Sequence, residues 1–571
     1  MNKSRFVFFV AAGMFLFLVL GLFNLEIIHG KKNRELSNKN CIRLIPQFGA
    51  RGDIVDRNGE IIADSKISYD LLLLPDTRED IDNVLSGIAG VLGTNFESLL
   101  SSYRNNFLSP SLPVVIARNI GLKKAIALEE LKANIPQITV QPRPQRNYPY
   151  KKLGAHIVGY LSEIDRWRLT KLADYGYKTK DIVGFGGIEE GLDYYLRQEE
   201  GGFSVEIDHM GRIVRTLGFE PPQNGKDIQL TIDLRIQKIV EDALGGRNGS
   251  VVIMDPRSGE IIAMASSPGF NPASFVDRNN SAISLYFHDK DAPLINRAIS
   301  SAYPAGSIFK LIVATAALET KKIDRSTVFV CQGKLQVGRA FFKCWSTHGP
   351  ENIIQAFTHS CDVFFYHTGL LVGPELIRDY ALKFGLAHNT GIELPYEVGG
   401  FIPSPLWRRI NKFRSWFDGD TANLSIGQGD VLVTPIQMVR VISVFANRGY
   451  LLTPYIVKAV DGKDISYYRR KGVNLSLKSE TIDIIKEGLR GVVADPSGTG
   501  NILSSLPVQV AGKTGTAQAP PGQSHAWFIG FFPFKEPKYA ICVFLEHGGP
   551  GYYSCVVAKQ IIEGMSLQGL L

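Results

Sequence analysis

The chain has 571 residues, and 63 Lys and Arg against 55 Asp and Glu give it a formal net charge of +8. Hydrophobic residues make up 45% and charged residues 21% of the sequence, which excludes wholesale disorder. Six cysteines are too few for a disulfide-built scaffold. The length predicts roughly two to four domains, and so small an excess of base, spread over the chain, does not predict nucleic acid as a partner.

The first element is an apolar run that is long enough to cross a membrane. Residues 6–23 contain no charge, and they would form about 27 Å of helix. No small-x-small cleavage signal follows, so we expect an uncleaved anchor over residues 6–28 after a cytoplasmic tail of residues 1–5. Because no other run of this kind exists, a polytopic membrane protein is excluded. Basic residues flank both ends, so charge alone leaves the orientation open.

Two hairpins mark the beginnings of two folded parts. In the first, Asn58-Gly59 separates two apolar runs and predicts a tight turn with positive φ at both positions. In the second, residues 251–254 and 261–265 are continuously apolar, which is typical of a sheet covered on both faces. A turn-like segment before a strand at residues 228–232 places a boundary there. We therefore expect an extended module over residues 29–230 and an α+β domain over residues 231–571.

A serine and a lysine begin an apolar segment in the second part. Pro304 presets a first turn, so the sequence predicts a buried helix that starts near this residue. Ser307 and Lys310 are three residues apart and share a face of that helix. Burying an ammonium beside a helix N-terminus is costly, so the amine is expected to give up its proton and act as a base for the serine. Alone, this pair is a weak signal, since a surface serine followed by a snorkelling lysine would give the same sequence pattern.

Two further motifs follow in the chain. Ser360-Cys361-Asp362 precedes an apolar run, and Lys513-Thr514-Gly515-Thr516 lies between two strand-like segments. Ser-x-x-Lys, Ser-x-Asp and Lys-Thr-Gly in this order resemble the motifs of the penicillin-binding proteins and serine β-lactamases.

The likeness extends along nearly the whole chain. Residues 51–59, 146–149 and 187–191 resemble motifs of the pedestal domain of class B penicillin-binding proteins. Residues 419–421, 425–429 and 434–438 are similar to the elongation-specific subgroup, as is the aspartate at position 362. The resemblance implies an α+β fold with one transmembrane helix, an elongated pedestal of dimerisation type, and a transpeptidase-like domain. That domain would contain an antiparallel sheet flanked by helices, plus an all-helical part.

The resemblance also implies a reaction and a role for each motif residue. The enzyme would be a serine D-Ala-D-Ala transpeptidase that crosslinks peptidoglycan stem peptides during cell elongation and is acylated by β-lactams. Ser307 would attack the donor carbonyl, with Lys310 as general base and Ser360 as proton relay. The donor carboxylate would be held by Lys513, Thr514, Gly515 and Thr516, and the oxyanion by the backbone N–H groups of Ser307 and Thr516. Asp362 would either pair with a lysine or orient the substrate amide.

The same resemblance implies a cellular setting. The catalytic domain would lie on the periplasmic side of the cytoplasmic membrane, with a membrane glycan polymerase as partner. The acceptor would be the amine of a second stem peptide, and the chemistry would need no cofactor. Two alternatives are a non-catalytic penicillin sensor or scaffold and a hydrolytic serine β-lactamase. The first would need further membrane spans or a signalling domain, and the second a Glu-x-x-Leu-Asn deacylation motif; the sequence shows neither.

Four metal-ligating side chains precede or enter the second motif. They are Cys331, Cys344, His348 and Cys361, at spacings of 13, 4 and 13. Three thiolates and one imidazole would satisfy tetrahedral zinc, and some relatives carry a structural zinc in this region. A disulfide between Cys331 and Cys344 is the alternative.

Two other features leave alternatives open. Cys542 and Cys555 would either pair or stay as buried free thiols. A basic run lies between Trp407 and Trp416. We expect its side chains to be solvated, and the alternative is that they contact anionic lipid head groups or peptidoglycan. Its members are Arg408, Arg409, Lys412 and Arg414.

Overall fold

The computed structural model describes residues 3–73, 81–107, 113–207, 213–466 and 472–571. The chain divides into two compact units whose segments alternate along the sequence. The smaller unit contains residues 1–51, 65–145 and 197–225, and the larger contains residues 52–64, 146–196 and 226–571. The predicted domain boundary at residues 230/231 stays a prediction. The two units do not divide at that point, because residues 52–64 and 146–196 belong to the larger unit.

The N-terminal helix has the length that the sequence predicts. It runs over Lys3–Phe23 and continues through a wider turn, Asn24–Ile28. Within it, Arg5–Ile28 is apolar enough to cross a membrane, and its apolar stretch is not buried against the described chain. A helix with an apolar surface all round is consistent with a single-pass membrane anchor.

The rest of the smaller unit packs helices against strands around a core of aliphatic side chains such as Leu71, Leu85, Ile88 and Leu128. Its other helices are Gly30–Cys41, Ile81–Leu92, Phe96–Asn106 and Leu122–Leu131. Its strands are Ile42–Gln47, Val114–Ile120, Gly201–Ile207 and Ile213–Glu220, with most of Ile61–Leu73 and Ile138–Asn147.

A five-stranded antiparallel sheet forms the centre of the larger unit. Its strands are β1 (Gly249–Met254), β2 (Ile261–Ser267), β3 (Ala511–Ala517), β4 (His525–Phe532) and β5 (Tyr539–Leu545). The order β2-β1-β5-β4-β3 makes β3 an edge strand. Alternate side chains enter two separate cores, with Val252 on one face and Val251 on the other. The predicted apolar hairpin is therefore confirmed, and its strands are buried on both faces because helices cover both.

Helices surround this sheet and form an additional helical part beside it. Two are labelled here, α1 (Lys310–Glu319) and α2 (Asp362–Val372). The other helices of six or more residues are Arg166–Leu172, Leu234–Leu244, Asn280–His288, Ile353–Thr358, Pro374–Lys383, Pro405–Lys412, Asp418–Ser425, Pro435–Ala446, Ser479–Ala494 and Tyr552–Leu567. Short helices lie at Ala155–Val158, Ala173–Tyr175, Gly187–Gly191, Asp193–Leu196, Ala273–Val276, Gly306–Phe309 and Asn501–Ser505.

Short strands complete the larger unit. Ile228–Leu230 pairs in parallel with Ile54–Val55 and antiparallel with Val457–Val460. The remaining strands are Tyr160–Glu163, Ile182–Phe185, Tyr303–Pro304, Phe329–Cys331, Lys334–Val337, Ala340–Lys343, Gly349–Glu351, Leu432–Val433, Tyr450–Leu452, Lys463–Asp464 and Gly472–Asn474.

Candidate active site

Ser307 lies in a single tight turn, Gly306–Phe309, that leads directly into α1. The helix was predicted to start near Pro304, but this residue is extended and pairs with Leu432. Its carbonyl oxygen accepts a hydrogen bond from the Trp527 indole at 2.9 Å. The helical segment therefore begins two residues later than predicted, because the backbone of Pro304 is already used in other pairings.

Two glycines let the Ser307 turn approach its neighbours closely. Gly306 has a φ of +56°, and a Cβ placed on it would lie 2.7 Å from the carbonyl oxygen of Thr516 in β3. Gly427 has a φ of +67°, and its Cβ would lie 2.3 Å from the carbonyl oxygen of Gly306. Only residues without a side chain fit at such distances. The turn is therefore wedged between β3 and the segment that carries Gly427.

The second motif forms a strained turn at the start of α2. Ser360 has a φ of +55°, which is uncommon for a residue other than glycine. The turn directs both the hydroxyl and the carbonyl oxygen of Ser360 to the fully buried amine of Lys310, at 3.3 and 2.9 Å. Lys310 Nζ also pairs with Asp362 Oδ1 at 2.7 Å. Of the two alternatives for Asp362, this geometry corresponds to pairing with a lysine.

The third motif brings a second buried amine to the same serine. Lys513 Nζ lies 2.8 Å from Ser360 Oγ and 3.0 Å from the carbonyl oxygen of Thr514. Burial, and next the positive charge of Lys310, lower the pKa of Lys513 well below its usual value, against a smaller opposing effect of Asp362. A neutral amine at this position can accept a proton as well as donate a hydrogen bond.

The alternation of β3 separates the functions of its side chains. Gly515 faces the Ser307 turn, where a Cβ would lie 3.0 Å from Ile308 Cγ2. The hydroxyls of Thr514 and Thr516 point elsewhere: Thr514 Oγ1 is 2.7 Å from Thr499 Oγ1, and Thr516 Oγ1 accepts from the backbone N–H of Gly551 at 2.9 Å. Gly515 thus fits a packing role, whereas the two threonine hydroxyls make polar contacts, with Thr514 buried and Thr516 exposed.

The backbone of β3 also has polar groups on its free edge. The carbonyl oxygen of Thr516 accepts a hydrogen bond from the Gln428 side chain, which lies outside the sheet, at 3.4 Å. In a strand, the N–H and C=O of one residue point to the same side. The N–H of Thr516 therefore also faces the free edge, next to the Ser307 turn.

Sequence reasoning gave no role to two residues of this site. Gln428 lies in the 425–429 segment that carries the family resemblance, and its position there was a usable signal. Thr499 follows the Ser479–Ala494 helix, and nothing in the local sequence relates it to Thr514.

The four predicted metal ligands converge within the larger unit. Their ligand atoms all lie within 4.8 Å of one another. His348 Nδ1 is 3.6 Å from the sulfur atoms of both Cys331 and Cys344. Zn–S bonds of about 2.3 Å and Zn–N bonds of about 2.0 Å require ligand separations of roughly 3.5–3.8 Å in a tetrahedron. The donor set therefore fits a tetrahedral metal, and the two separations from His348 lie in this range. All three cysteines are free, so the alternative disulfide is not formed.

Hydrogen bonds connect these side chains to one another and to the second motif. The thiol of Cys361 hydrogen-bonds to Cys344, which lowers the pKa of Cys344 to about 4 and raises that of Cys361. The sulfur of Cys344 also accepts from the backbone N–H of Asp362 at 3.2 Å. Cys361 caps α2 by accepting from the N–H of Phe364 at 3.5 Å. Elsewhere in the larger unit, Cys542 and Cys555 are buried free thiols rather than a pair.

Comparison with known proteins agrees with this geometry. Residues 249–565 match the family model of the penicillin-binding protein transpeptidase domain, and residues 46–230 match that of the penicillin-binding protein dimerisation domain. The chain is 31% identical over 581 residues to peptidoglycan D,D-transpeptidase MrdA of Escherichia coli K12, covering 96% of this chain and 92% of the relative.

Solved structures give the same result. A complex between penicillin-binding protein PBP2 and MreC from Helicobacter pylori superimposes with a TM-score of 0.82 at 26% identity, covering 93% of this chain and 99% of that one. A chain of a peptidoglycan synthase complex, described as coordinating polymerization and crosslinking, gives a TM-score of 0.74 at 27% identity, covering 98% and 97%. The chain belongs to the class B penicillin-binding proteins and is a peptidoglycan D,D-transpeptidase of the PBP2/MrdA type.

Proposed function

We propose that Ser307 is the nucleophile of the acyl-transfer reaction and that Lys310 is its general base. Lys310 is the first residue of α1, directly after the turn that contains Ser307, and its amine is fully buried. A serine hydroxyl reacts only when a base removes its proton. Asp362 would then stabilise the ammonium that forms on Lys310, because its carboxylate is already 2.7 Å from Nζ.

Ser360 would relay the proton onward to the leaving nitrogen. The observation on which this proposal depends most is that one hydroxyl lies within hydrogen-bond range of both amines, Lys310 at 3.3 Å and Lys513 at 2.8 Å. The lowered pKa of Lys513 favours its neutral form, so Lys513 could accept a proton from Ser360. Lys310, on the other side of the Ser360 hydroxyl, would be the donor. Proton transfer of this kind typically contributes about 10²–10⁴-fold to a rate.

The donor stem peptide would bind as an extra strand along the free edge of β3. Edge strands recruit extended peptides through backbone hydrogen bonds. The N–H groups of Thr516 and Ser307 would hold the oxyanion, an arrangement favoured by the close approach of Gly306 to Thr516. One such donor is worth about 3–4 kcal/mol of transition-state stabilisation. The Lys513 amine and the hydroxyls of Thr514 and Thr516 would hold the terminal carboxylate, with Thr499 orienting Thr514.

We further propose that Cys331, Cys344, His348 and Cys361 hold a structural zinc ion. The metal would supply no step of the reaction. Its four protein ligands would leave no open position for substrate, which is typical of structural sites. Because Cys361 lies between Ser360 and Asp362, the metal would hold the second motif in its strained turn.

In the cell, the chain would act during elongation as a single-pass protein of the cytoplasmic membrane, with its catalytic part on the periplasmic side. Residues 29–230 would form the pedestal and residues 231–571 the catalytic domain. The complexes reported for its relatives suggest that it also binds an MreC-type protein and a membrane glycan polymerase. These assignments rest on the apolar helix and on the likeness to those relatives.

Labelled penicillin tests the central assignment. The wild-type chain should form a long-lived covalent adduct on Ser307, whereas Ser307→Ala should form none and should release no D-Ala from stem peptides. Ser504→Ala removes an exposed hydroxyl outside the site and should label normally. Labelling of Ser307→Ala would refute the nucleophile, and rapid turnover of the penicillin would indicate a β-lactamase instead.

A further inference from the structure

Residues 405–417, here called the rim segment, have an unusual surface. The segment consists of the helix Pro405–Lys412 and the five residues that follow it. Large apolar side chains succeed one another on its outer side, and more than half of each is exposed, with Phe413 at 90%. These four residues, called the outer stripe, are Leu406, Ile410, Phe413 and Phe417.

The rim segment is firmly attached to the larger unit by its inner side. The Trp407 ring packs against Phe401 with centroids 4.6 Å apart, and the Trp416 indole donates to Thr421 Oγ1 at 2.8 Å. The Arg408 guanidinium pairs with Asp420 at 2.9 Å. The exposure of the outer stripe is therefore not a consequence of loose packing, and an apolar surface of this kind indicates an interaction site.

Positive charge accompanies the outer stripe. Arg409 and Arg414 are exposed, and within the described residues neither guanidinium forms an ion pair. Lys412 pairs with Asp430 and lies above the Trp407 ring. The natural partner of such a surface has apolar faces and carries negative charge.

The rim segment is continuous with the free edge of β3. Its Lys412 is paired to Asp430, and two residues earlier Gln428 donates to the carbonyl oxygen of Thr516. Two residues after Asp430, Leu432 pairs with both Phe401 and Pro304, three residues before Ser307. A polymer whose stem peptide lies on β3 would therefore extend over the rim segment.

We propose that the rim segment binds the polymeric part of the peptidoglycan substrate, beyond the stem peptide that reacts. The outer stripe would contact the apolar faces of sugar rings and peptide methyl groups, and Arg409 and Arg414 would pair with free carboxylates of stem peptides. This inference rests on the proposed function of the Ser307 site. A lipid surface would also contact aliphatic, aromatic and basic side chains, but lipid binding would not require the rim segment to adjoin the free edge of β3.

Two double variants of the full chain in detergent test the proposal. Ile410→Ser with Phe413→Ser removes half of the outer stripe, and Arg409→Gln with Arg414→Gln removes the charges. Matched controls are Leu285→Ser with Phe287→Ser, which are also more than half exposed and lie on Asn280–His288, and Lys290→Gln with Lys322→Gln. Each protein is assayed for penicillin acylation, for reaction of a short D-Ala-D-Ala peptide, and for crosslinking of uncrosslinked glycan strands.

The expected result separates the polymer from the short substrate. Both rim variants should raise KM for glycan strands by about tenfold, equivalent to roughly 1.4 kcal/mol, with kcat, acylation and the short-peptide reaction unchanged. The control variants should behave like the wild type. An unchanged KM for glycan strands overturns the proposal. If the rim variants also lose binding to phosphatidylglycerol vesicles, the rim segment contacts lipid instead. A wild-type chain that penicillin does not acylate refutes the proposed function itself, and the inference with it.

Discussion

Ser360 and Lys513 lie 2.8 Å apart, Oγ to Nζ, although 153 residues separate them in the chain. Lys513 belongs to an edge strand and Ser360 to a strained turn before α2, so the contact depends on the packing of both elements. It joins two lysines through one hydroxyl, since Lys310 Nζ is 3.3 Å from the same oxygen.

Removing that hydroxyl should slow acylation without changing the fold. In Ser360→Ala, neither amine can exchange a proton with the leaving group through residue 360, and we expect a loss of about 10²–10⁴-fold in acylation rate. Stopped-flow labelling with a fluorescent penicillin measures this rate, and Ser504→Ala serves as the control. A Ser360→Ala protein that acylates at the wild-type rate would show that the relay runs through another group.

Metal content provides a second test. We expect one zinc per chain in the purified protein and its loss in Cys344→Ser, with a lower Tm, because a bound structural metal contributes directly to folding stability. Cys542→Ala removes a buried thiol outside the group and should keep the metal.

Chelation gives an independent readout of the same site. Removal of zinc should make three additional thiols reactive, those of Cys331, Cys344 and Cys361, and should slow acylation because the Ser360 turn loses its support. Wild-type protein that contains no stoichiometric zinc, or that keeps its Tm after complete chelation, would contradict the proposal.

The positions of the motif residues were predictable from the sequence, because each motif requires residue types that are rare together. Lys310 in an apolar helix and the Lys-Thr-Gly strand both stand out from their surroundings, and the structure places them around Ser360. Long-range contacts such as Thr499 to Thr514 have no such signal, since threonine in a turn is ordinary and its partner is set by tertiary packing.

The Asn58-Gly59 turn shows a limit of local rules. The hairpin exists, with Ile54–Val55 paired to the start of Ile61–Leu73, but only Gly59 has a positive φ, +90°. The Asp56 carboxylate accepts hydrogen bonds from the backbone N–H groups of Asn58 and Glu60, at 2.6 and 2.9 Å. This side-chain bonding favours another turn geometry, which a preference based on the dipeptide alone does not include.

A buried histidine should make the stability of the chain depend on pH. His156 Nε2 donates to the carbonyl oxygen of Pro293 at 2.8 Å, and burial, the largest effect, lowers its pKa to about 4. The unfolded chain binds this proton near pH 6.5, so below that pH the unfolded state holds more protons than the folded state. The free energy of unfolding should fall by about 2 kcal/mol between pH 7.5 and pH 5 from this group alone.

His156→Gln isolates that contribution, because glutamine keeps a donor but does not titrate. The Tm of the wild type should fall more steeply than that of the variant between pH 7.5 and pH 5, and the two slopes should agree above pH 7.5. Parallel curves over the whole range would mean that His156 is not the group responsible.

The strongest geometric prediction concerns the close approach of the Ser307 turn to β3. Gly306→Ala places a Cβ where the carbonyl oxygen of Thr516 would be 2.7 Å away, so the turn or the strand must move. A misplacement of about 1 Å between reacting groups can cost on the order of 10²-fold in rate, and we expect a loss of this size in acylation.

Gly338→Ala is the matched control, because Gly338 has nearly the same φ, +58° against +56°, and no atom within 4 Å of its Cβ position. Both variants carry the left-handed backbone penalty of about 1–2 kcal/mol, but only Gly306→Ala adds a collision at the site. A larger Tm decrease and a selective loss of acylation in Gly306→Ala would show that the close approach of the Ser307 turn to Thr516 sets the geometry of the reaction. Equal acylation by the two variants would mean that this contact does not determine the geometry of the reaction.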